Sequence, residues 1–209
     1  MQDFHSIADF ETFMVARLGS GLPGRVAQGR MAAAHYQNWP EPGPTSRSSA
    51  VLMLFYPYAE GIGFPVIRRP VYSGAHSGQI AFPGGKADPT DRDFYETALR
   101  EAWEEVRAPR NEINILGSLS EVYIPVSDMR VTPVIGTLSY RPELSPDLRE
   151  VQEIREIGLS GILDKEVVVQ GKIPVSGGFI TAPFYHFEGL QIWGATAMMI
   201  SELAEIIEG

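Results

Sequence analysis

The sequence contains no cysteine. That excludes disulfides, zinc–thiolate centres and a cysteine nucleophile together, and it fits a reducing compartment without requiring one. Basic residues are scarce. Seventeen Lys and Arg stand against 26 Asp and Glu, for a net charge of −9. So acidic a chain lacks the field that a nucleic acid needs, and no nucleic-acid partner is expected. A small anionic substrate stays open, because a divalent cation and a few arginines reverse the potential inside one cleft. Long apolar runs are also missing. The strongest, Ala50 to Ala59, is too short to span a bilayer and contains Pro57. The first thirteen residues carry acids where a secretory leader has a basic start and an apolar middle. The expectation is a soluble cytoplasmic protein without a membrane partner.

What is present is ordinary for a globular domain: 209 residues, 44% apolar and 21% charged. Phe4, Ile7, Phe10, Phe13, Met14 and Leu18 recur at three- and four-residue spacing, which predicts an amphipathic helix over 4–18. A second short helix is predicted at 24–34. Trp39 to Pro44 then holds three prolines and a glycine, followed by a Thr/Ser stretch to Ser49, and reads as a linker. Residues 1–45 are therefore expected to be an N-terminal helical extension, and 46–209 the main domain. Strands are expected at 51–56, 63–68 and 79–82, with Glu60-Gly61 turning the first hairpin. After a helix at 94–106, ended by Pro109, strands are expected at 113–123, 131–140, 150–157, 166–169 and 179–187. A closing helix is expected at 194–208. One mostly antiparallel sheet with a few helices is an α+β arrangement.

The helix at 94–106 carries the chemistry. Tyr95, Ala98, Leu99, Ala102 and Val106 form its apolar stripe, expected to face the sheet. Glu101, Glu104 and Glu105 stand at i, i+3 and i+4 and share an arc of about 100° beside that stripe. Three like charges this close repel, and hard carboxylate oxygens suit Mg²⁺ or Mn²⁺. Glutamates on a solvated helix face are the plainer alternative. Upstream, Phe82-Pro83-Gly84-Gly85-Lys86 ends a strand in a double glycine, where backbone can approach a ligand closely.

These residues resemble the box of the Nudix hydrolases. That box runs Gly, five residues, Glu, seven residues, then Arg-Glu-apolar-x-Glu-Glu-x-Gly-apolar. The matching positions are Gly85, Arg100, Glu101, Ala102, Glu104, Glu105 and Ala108. Asp91 takes the first glutamate's place, with eight residues before Arg100 rather than seven, and Arg107 replaces the glycine. The coenzyme A pyrophosphatase branch has such a variant, Gly-Gly-Lys-x-Asp-Pro-x-Asp and then Thr-Ala-Leu-Arg-Glu-Ala. Here these are Gly84 to Lys86, Asp88, Pro89, Asp91 and Thr97 to Ala102. Of that branch's upstream signature the chain keeps Arg69, His76, Gly78 and Phe82 to Gly85. It has Ile67 for Thr, Pro70 for Ser/Ala and Gly74 for a second Arg. The likeness covers roughly residues 46–205.

The resemblance implies a Nudix-type α/β/α sandwich with a mixed, mostly antiparallel sheet. It also implies a Mg²⁺- or Mn²⁺-dependent pyrophosphatase acting on a nucleotide of the coenzyme A kind. By that resemblance Glu101, Glu104, Glu105 and the Gly85 carbonyl hold the metal, and Arg100 orients the carboxylates. Glu101, or Glu150 or Glu153 from a later loop, is the implied general base. Arg68, Arg69, Lys86 and His76 are candidate substrate contacts. Trp39, Trp103 and Trp193 either stack on adenine or pack in the core. ADP-ribose or NADH hydrolysis and a non-catalytic ligand sensor on the same fold are the alternatives. The phenylalanines of the N-terminal extension could supply a homodimer interface or cap the sheet.

Overall fold

Twelve residues without a glycine, Arg47–Tyr58, form the first strand, β1, of the computed structural model, which describes residues 4–33, 40–59, 61–72, 74, 76–175 and 178–209. Successive side chains of a strand point to opposite faces. Ala50, Leu52, Leu54 and Tyr56 therefore enter one core, and Met53 and Phe55 enter another. β1 pairs antiparallel with β2 (Gly61–Arg68) and with the short β4 (Gly84–Lys86). It pairs in parallel with β7 (Met129–Thr137), from Arg47 opposite Met129 to Phe55 opposite Thr137. β3 (Ile80–Ala81) and β8 (Glu153–Gly158) add to β2, while β5 (Asn114–Ser118) and β6 (Val122–Ile124) add to β7, all antiparallel. The result is one mixed, mostly antiparallel eight-stranded sheet.

Helix α3 (Phe94–Val106) covers one face of this sheet, setting Ala98, Ala102 and Val106 against the even-numbered residues of β1. The other face packs against α1 (Ile7–Leu18), the short α4 (Leu159–Ile162) and α5 (Gly194–Glu208). Its centre is a run of rings: Phe10 to Phe55 at 4.7 Å between centroids, Phe55 to Phe64 at 5.5 Å, and Phe64 to Phe82 at 5.7 Å. Offset rings at such separations add to plain area burial. The layers are helix, sheet and helices, the α/β/α arrangement expected. A separate antiparallel sheet of β9 (Val168–Val175), β10 (Gly178–Phe187) and β11 (Leu190–Ile192) stands beside β3.

The N-terminal segment is packed into this body. Phe10 and Met14 are buried in the same core as Phe55 and Phe64. The short α2 (Arg25–Gln28) docks on α5 through Glu202, whose side chain is fully buried. Glu202 accepts hydrogen bonds from the backbone N–H of Gly24 (3.1 Å), the backbone N–H of Ser120 (3.2 Å) and the Gln28 amide (2.8 Å).

Several boundaries differ from expectation. The helix expected over 24–34 stops at Gln28 and tightens into a 3₁₀ turn at Gly29–Met31, since Gly29 weakens a helix interior. The strand expected over 113–123 is two strands, with a register shift between Ile115 and Gly117. The strand expected at 166–169 runs on to Val175 despite Pro174, which an edge strand tolerates. Tyr95, assigned to the buried stripe of α3, is 39% exposed, and Trp103, expected in the core, is 45% exposed. Thr97 and Glu105 take the buried places instead. Ala34, Trp39 and Glu60 lie outside the described residues. Among the described residues no helix is long and apolar enough to cross a membrane.

Candidate active site

α3 starts where Asp93 caps it, its carboxylate accepting from the Glu96 N–H at 2.9 Å. It ends at Arg107, which adopts a left-handed conformation (φ 59°) and closes the last turn with bonds to the carbonyls of Ala102 and Trp103. A residue in that conformation is where the family box has glycine. The carboxylates are thus carried on a rigid helix fixed at both ends.

The Gly84-Gly85 turn lies directly under them. Gly84 N–H donates to Glu105 Oε2 at 2.8 Å. A Cβ on Gly84 would sit 2.4 Å from the Ala50 carbonyl oxygen, and one on Gly85 would sit 2.3 Å from Glu101 Oε2. Glycine at 84 lets β4 lie this close to β1, and glycine at 85 lets it lie this close to the helix carboxylate. Arg100 locks the arrangement from the side. Its Nε and Nη2 form a two-pronged pair with Asp91 at 2.9 Å each, its Nη1 donates to Glu101 Oε1 at 2.8 Å, and its Nη2 also reaches the Lys86 carbonyl at 3.0 Å. Asp91 is tied down further by Thr97 Oγ1 and the Asp88 N–H. The Arg100 guanidinium holds the Asp91 carboxyl well below the usual range. Asp91, read from sequence as a departure from the general box that matches the coenzyme A branch, is the anchor for Arg100.

The two inner carboxylates are desolvated. Glu105 is 2% exposed, and burial pushes its pKa up to about 7, against opposing help from the Gly84 N–H and the Arg69 charge. Burial also raises Glu101, against the pull of Arg100. Glu104 stands apart. Its side chain is 47% exposed, and its contact is Arg100 Nη1 at 3.3 Å. The third acid on the side of Glu101 and Glu105 is Glu150, which lines the same cavity and whose charge raises both. Among the described residues no three His, Asp or Glu side chains are gathered tightly enough to hold an ion as they stand. The donor chemistry nonetheless fits a hard divalent cation. One buried and one partly buried carboxylate, both pushed toward neutrality by desolvation, face a glycine cradle that no Cβ could share.

Glu101 and Glu105 form one end of a cavity of about 1110 Å³. Arg68, Arg69, Lys86 and His76 all line it, so the structure brings the four candidate contacts to one cavity. Arg69 Nε and His76 Nε2 are buried without a hydrogen-bond partner among the described residues. The Arg69 Nε–H is a buried unpaired donor, whose cost an incoming acceptor would recover, whereas His76 Nδ1 faces the Gln79 Oε1 acceptor at 3.0 Å and leaves Nε2 of the neutral ring as an acceptor. Arg68 is partly committed to Glu153 at 3.2 Å, and Glu153 also pairs with Arg155. Trp193 lines the cavity too, whereas exposed Trp103 stacks under Arg107 with 5.0 Å from Cζ to the ring centre. Sequence reasoning missed the far wall, formed by β9, β10 and α5. Nothing local in those segments signals that they meet the box.

A family model for the NUDIX domain matches residues 47–164. Curated relatives include an uncharacterized Nudix hydrolase, NudL, of Photorhabdus laumondii, 36% identical over 68% of this chain and 75% of its own length. The NudL of Yersinia enterocolitica is 36% identical over 79% of this chain and 86% of its own. Among solved structures, a MutT/nudix family protein from Enterococcus faecalis superposes with a TM-score of 0.50 at 15% identity, over 99% of this chain and 76% of that one. That likeness concerns the fold.

Proposed function

This chain belongs to the Nudix hydrolase family, and from that premise we propose that it hydrolyses the diphosphate linkage of coenzyme A or its thioesters to 3′,5′-ADP and the (acyl-)4′-phosphopantetheine. The observation that carries this reading is the one cavity lined by Glu101, Glu105, Arg69 and His76, the last two each with a buried nitrogen that has no hydrogen-bond partner. Arg69 and His76 are also among the residues the chain retains from the coenzyme A branch's upstream signature.

Glu101, Glu105 and the Gly85 carbonyl would hold Mg²⁺ or Mn²⁺, with Glu104 at the solvent edge completing the charge. The ion, when bound, neutralises the bridged phosphates and lowers the pKa of a water. The chain's own part is positional and electrostatic. Arg100, fixed by Asp91, keeps the Glu101 carboxylate from rotating into solvent. Arg69, with Lys86 and Arg68 beside it, offers positive charge to the diphosphate oxygens. Glu150 takes the water's proton, in preference to Glu153, which is held by two arginines. Water attacks phosphorus, the phosphorus–oxygen bond of the anhydride breaks, and the leaving phosphate departs as the second product.

Incubation with coenzyme A, ADP-ribose, NADH and a nucleoside triphosphate, each with Mg²⁺ or Mn²⁺, tests the reading. Coenzyme A or a thioester should be cleaved at least about tenfold more efficiently than the rest, a difference of about 1.4 kcal/mol in transition-state binding. Preferential cleavage of ADP-ribose or NADH would overturn the substrate assignment and leave the family untouched.

Gly85→Ala tests the cradle. The new methyl cannot coexist with Glu101 Oε2 at 2.3 Å, so the carboxylate must swing away. A drop in kcat of about ten- to a hundredfold is expected, the scale of a misplaced ligand. An alanine variant with unaltered kcat would show that Glu101 has no fixed role.

A further inference from the structure

The loop between β7 and β8, which carries Glu150, is anchored on α3 itself. The last carbonyls of a helix have no partner within it. Here the Val106 carbonyl accepts from the Ser145 N–H at 3.0 Å, and the Glu105 carbonyl accepts from the Asp147 N–H at 2.8 Å. The Asp147 carbonyl in turn accepts from the N–H groups of Glu150 at 2.9 Å and Val151 at 2.8 Å. Two backbone hydrogen bonds, both through Asp147, therefore join the inner carboxylate residue Glu105 to Glu150.

The side chain of Glu150 does not fix its own direction. Among the described residues no hydrogen bond or ion pair holds its carboxylate. Packing does not hold the tip of the turn either, because Leu148 and Arg149 are both exposed. The turn is shaped by Asp147. Its carboxylate accepts from the Arg149 backbone N–H at 3.1 Å, the local ring that a short acidic side chain forms two residues ahead, and from Arg149 Nε at 3.0 Å. The Arg149 guanidinium, with Arg107 Nη2 at 4.0 Å beyond it, holds the Asp147 carboxyl well below the usual carboxylate range. Arg107 stands where the family box has glycine, and its side chain gives that left-handed position a use glycine lacks. It brings a cation to Asp147 from the end of α3. Asp147 thus commits its amide, its carbonyl and its carboxylate to one turn.

We propose that Asp147 is the positioning residue for Glu150: its carboxylate shapes the turn that suspends Glu150 from the Glu105 carbonyl and aims it at the site. Asp147 itself touches no substrate. The proposal rests on the reading of Glu150 as the group that takes the water's proton, and it adds what holds that group in place. Glu150 lines the same end of the cavity as Glu101 and Glu105. A proton acceptor works only within hydrogen-bond reach of its proton, and a misplacement of ~1 Å costs about a hundredfold in rate. A carboxylate at the tip of an unpacked turn has that precision only if the turn itself is rigid.

The test is a double-variant cycle at 147 and 150, run on whichever of the four compounds above is cleaved fastest, with melting temperatures to show that each variant folds. Asp147→Ala should lower kcat about ten- to a hundredfold and leave KM within about twofold. Asp147→Asn keeps an acceptor for the Arg149 N–H and should stay within about threefold of the unaltered chain. Glu150→Gln should lower kcat by about a hundredfold or more. In that background Asp147→Ala should cost less than about threefold further, since no base remains to be aimed. Amide exchange in the metal-free chain supplies a readout apart from turnover. The Glu150 and Val151 amides should exchange faster in Asp147→Ala and keep their protection in Asp147→Asn. Losses that multiply in full would make Asp147 a residue with its own separate role and overturn the proposal. So would an alanine variant with unaltered kcat or unaltered exchange. Near-normal turnover in Glu150→Gln removes the base, and its positioning with it, while hydrolysis stands. Absence of turnover on all four compounds removes the hydrolase reading beneath both.

Discussion

Glu105→Gln is expected to lower divalent-cation-dependent turnover by about a thousandfold or more while the protein stays folded. The side chain is 2% exposed and stands over the Gly84-Gly85 turn beside Glu101. Removing its charge takes away the buried one of the two inner carboxylates available to the cation, whose electrostatic contribution amounts to several kcal/mol of transition-state stabilisation. The fold has little to lose. A glutamine oxygen still accepts from the Gly84 N–H at the same place. Burial already pushes the native carboxyl up to about 7, so the neutral amide avoids a desolvation cost that the carboxylate bears. The metal-free variant should therefore melt no lower than the unaltered chain. Single-turnover rates with Mg²⁺, alongside a thermal melt with chelator, separate the two effects. Near-normal turnover would remove Glu105 from the site. A collapse of the melting temperature would instead make it a structural residue.

That site was legible because its signals are local. A carboxylate pair at i and i+4, an arginine one residue before and a double glycine upstream are read along one strand, one loop and one helix. The bounds of α3 were legible for the same reason, since Pro109 fixes where it must stop and the apolar period fixes its face. The resemblance ranked the three glutamates, with Glu101 and Glu105 as direct ligands and Glu104 completing the site, and helical spacing agrees. Spacing puts Glu101 and Glu105 nearly in line, one turn apart, and turns Glu104 by about 60° from Glu101 toward solvent. The apolar period was nonetheless too coarse to place Tyr95, which it put on the buried stripe and which is 39% exposed. Strand β9 was cut short because Gly171 and Pro174 argue against a strand in isolation, and only its edge position makes them tolerable. The apolar wall of the cavity was invisible. It depends on residues some ninety positions downstream folding back beside β3, and no short-range pattern encodes that contact.

The N-terminal segment offers the second large effect, on stability rather than turnover. Glu202→Ala is expected to destabilise the protein by about 4 kcal/mol. Truncation strips the acceptor from two backbone N–H groups, those of Gly24 and Ser120, and from the Gln28 amide, in a place with no exposure to water. Each abandoned buried donor costs about 1–3 kcal/mol, and the emptied volume adds to that. For a chain of this size the melting temperature should fall by about 10 °C. Glu202→Gln retains an acceptor oxygen but sets its NH₂ against a donor, so its loss should be smaller though clear. The damage should also be localised. Amide exchange at the backbone of α2 and its preceding turn should quicken before that of β1 or β7, because Glu202 is the link that ties this segment to α5 and to the loop at Ser120. A melting temperature within about 2 °C of the unaltered chain would mean that Phe10, Met14 and Met31 hold the N-terminal segment without the carboxylate, through apolar contact alone.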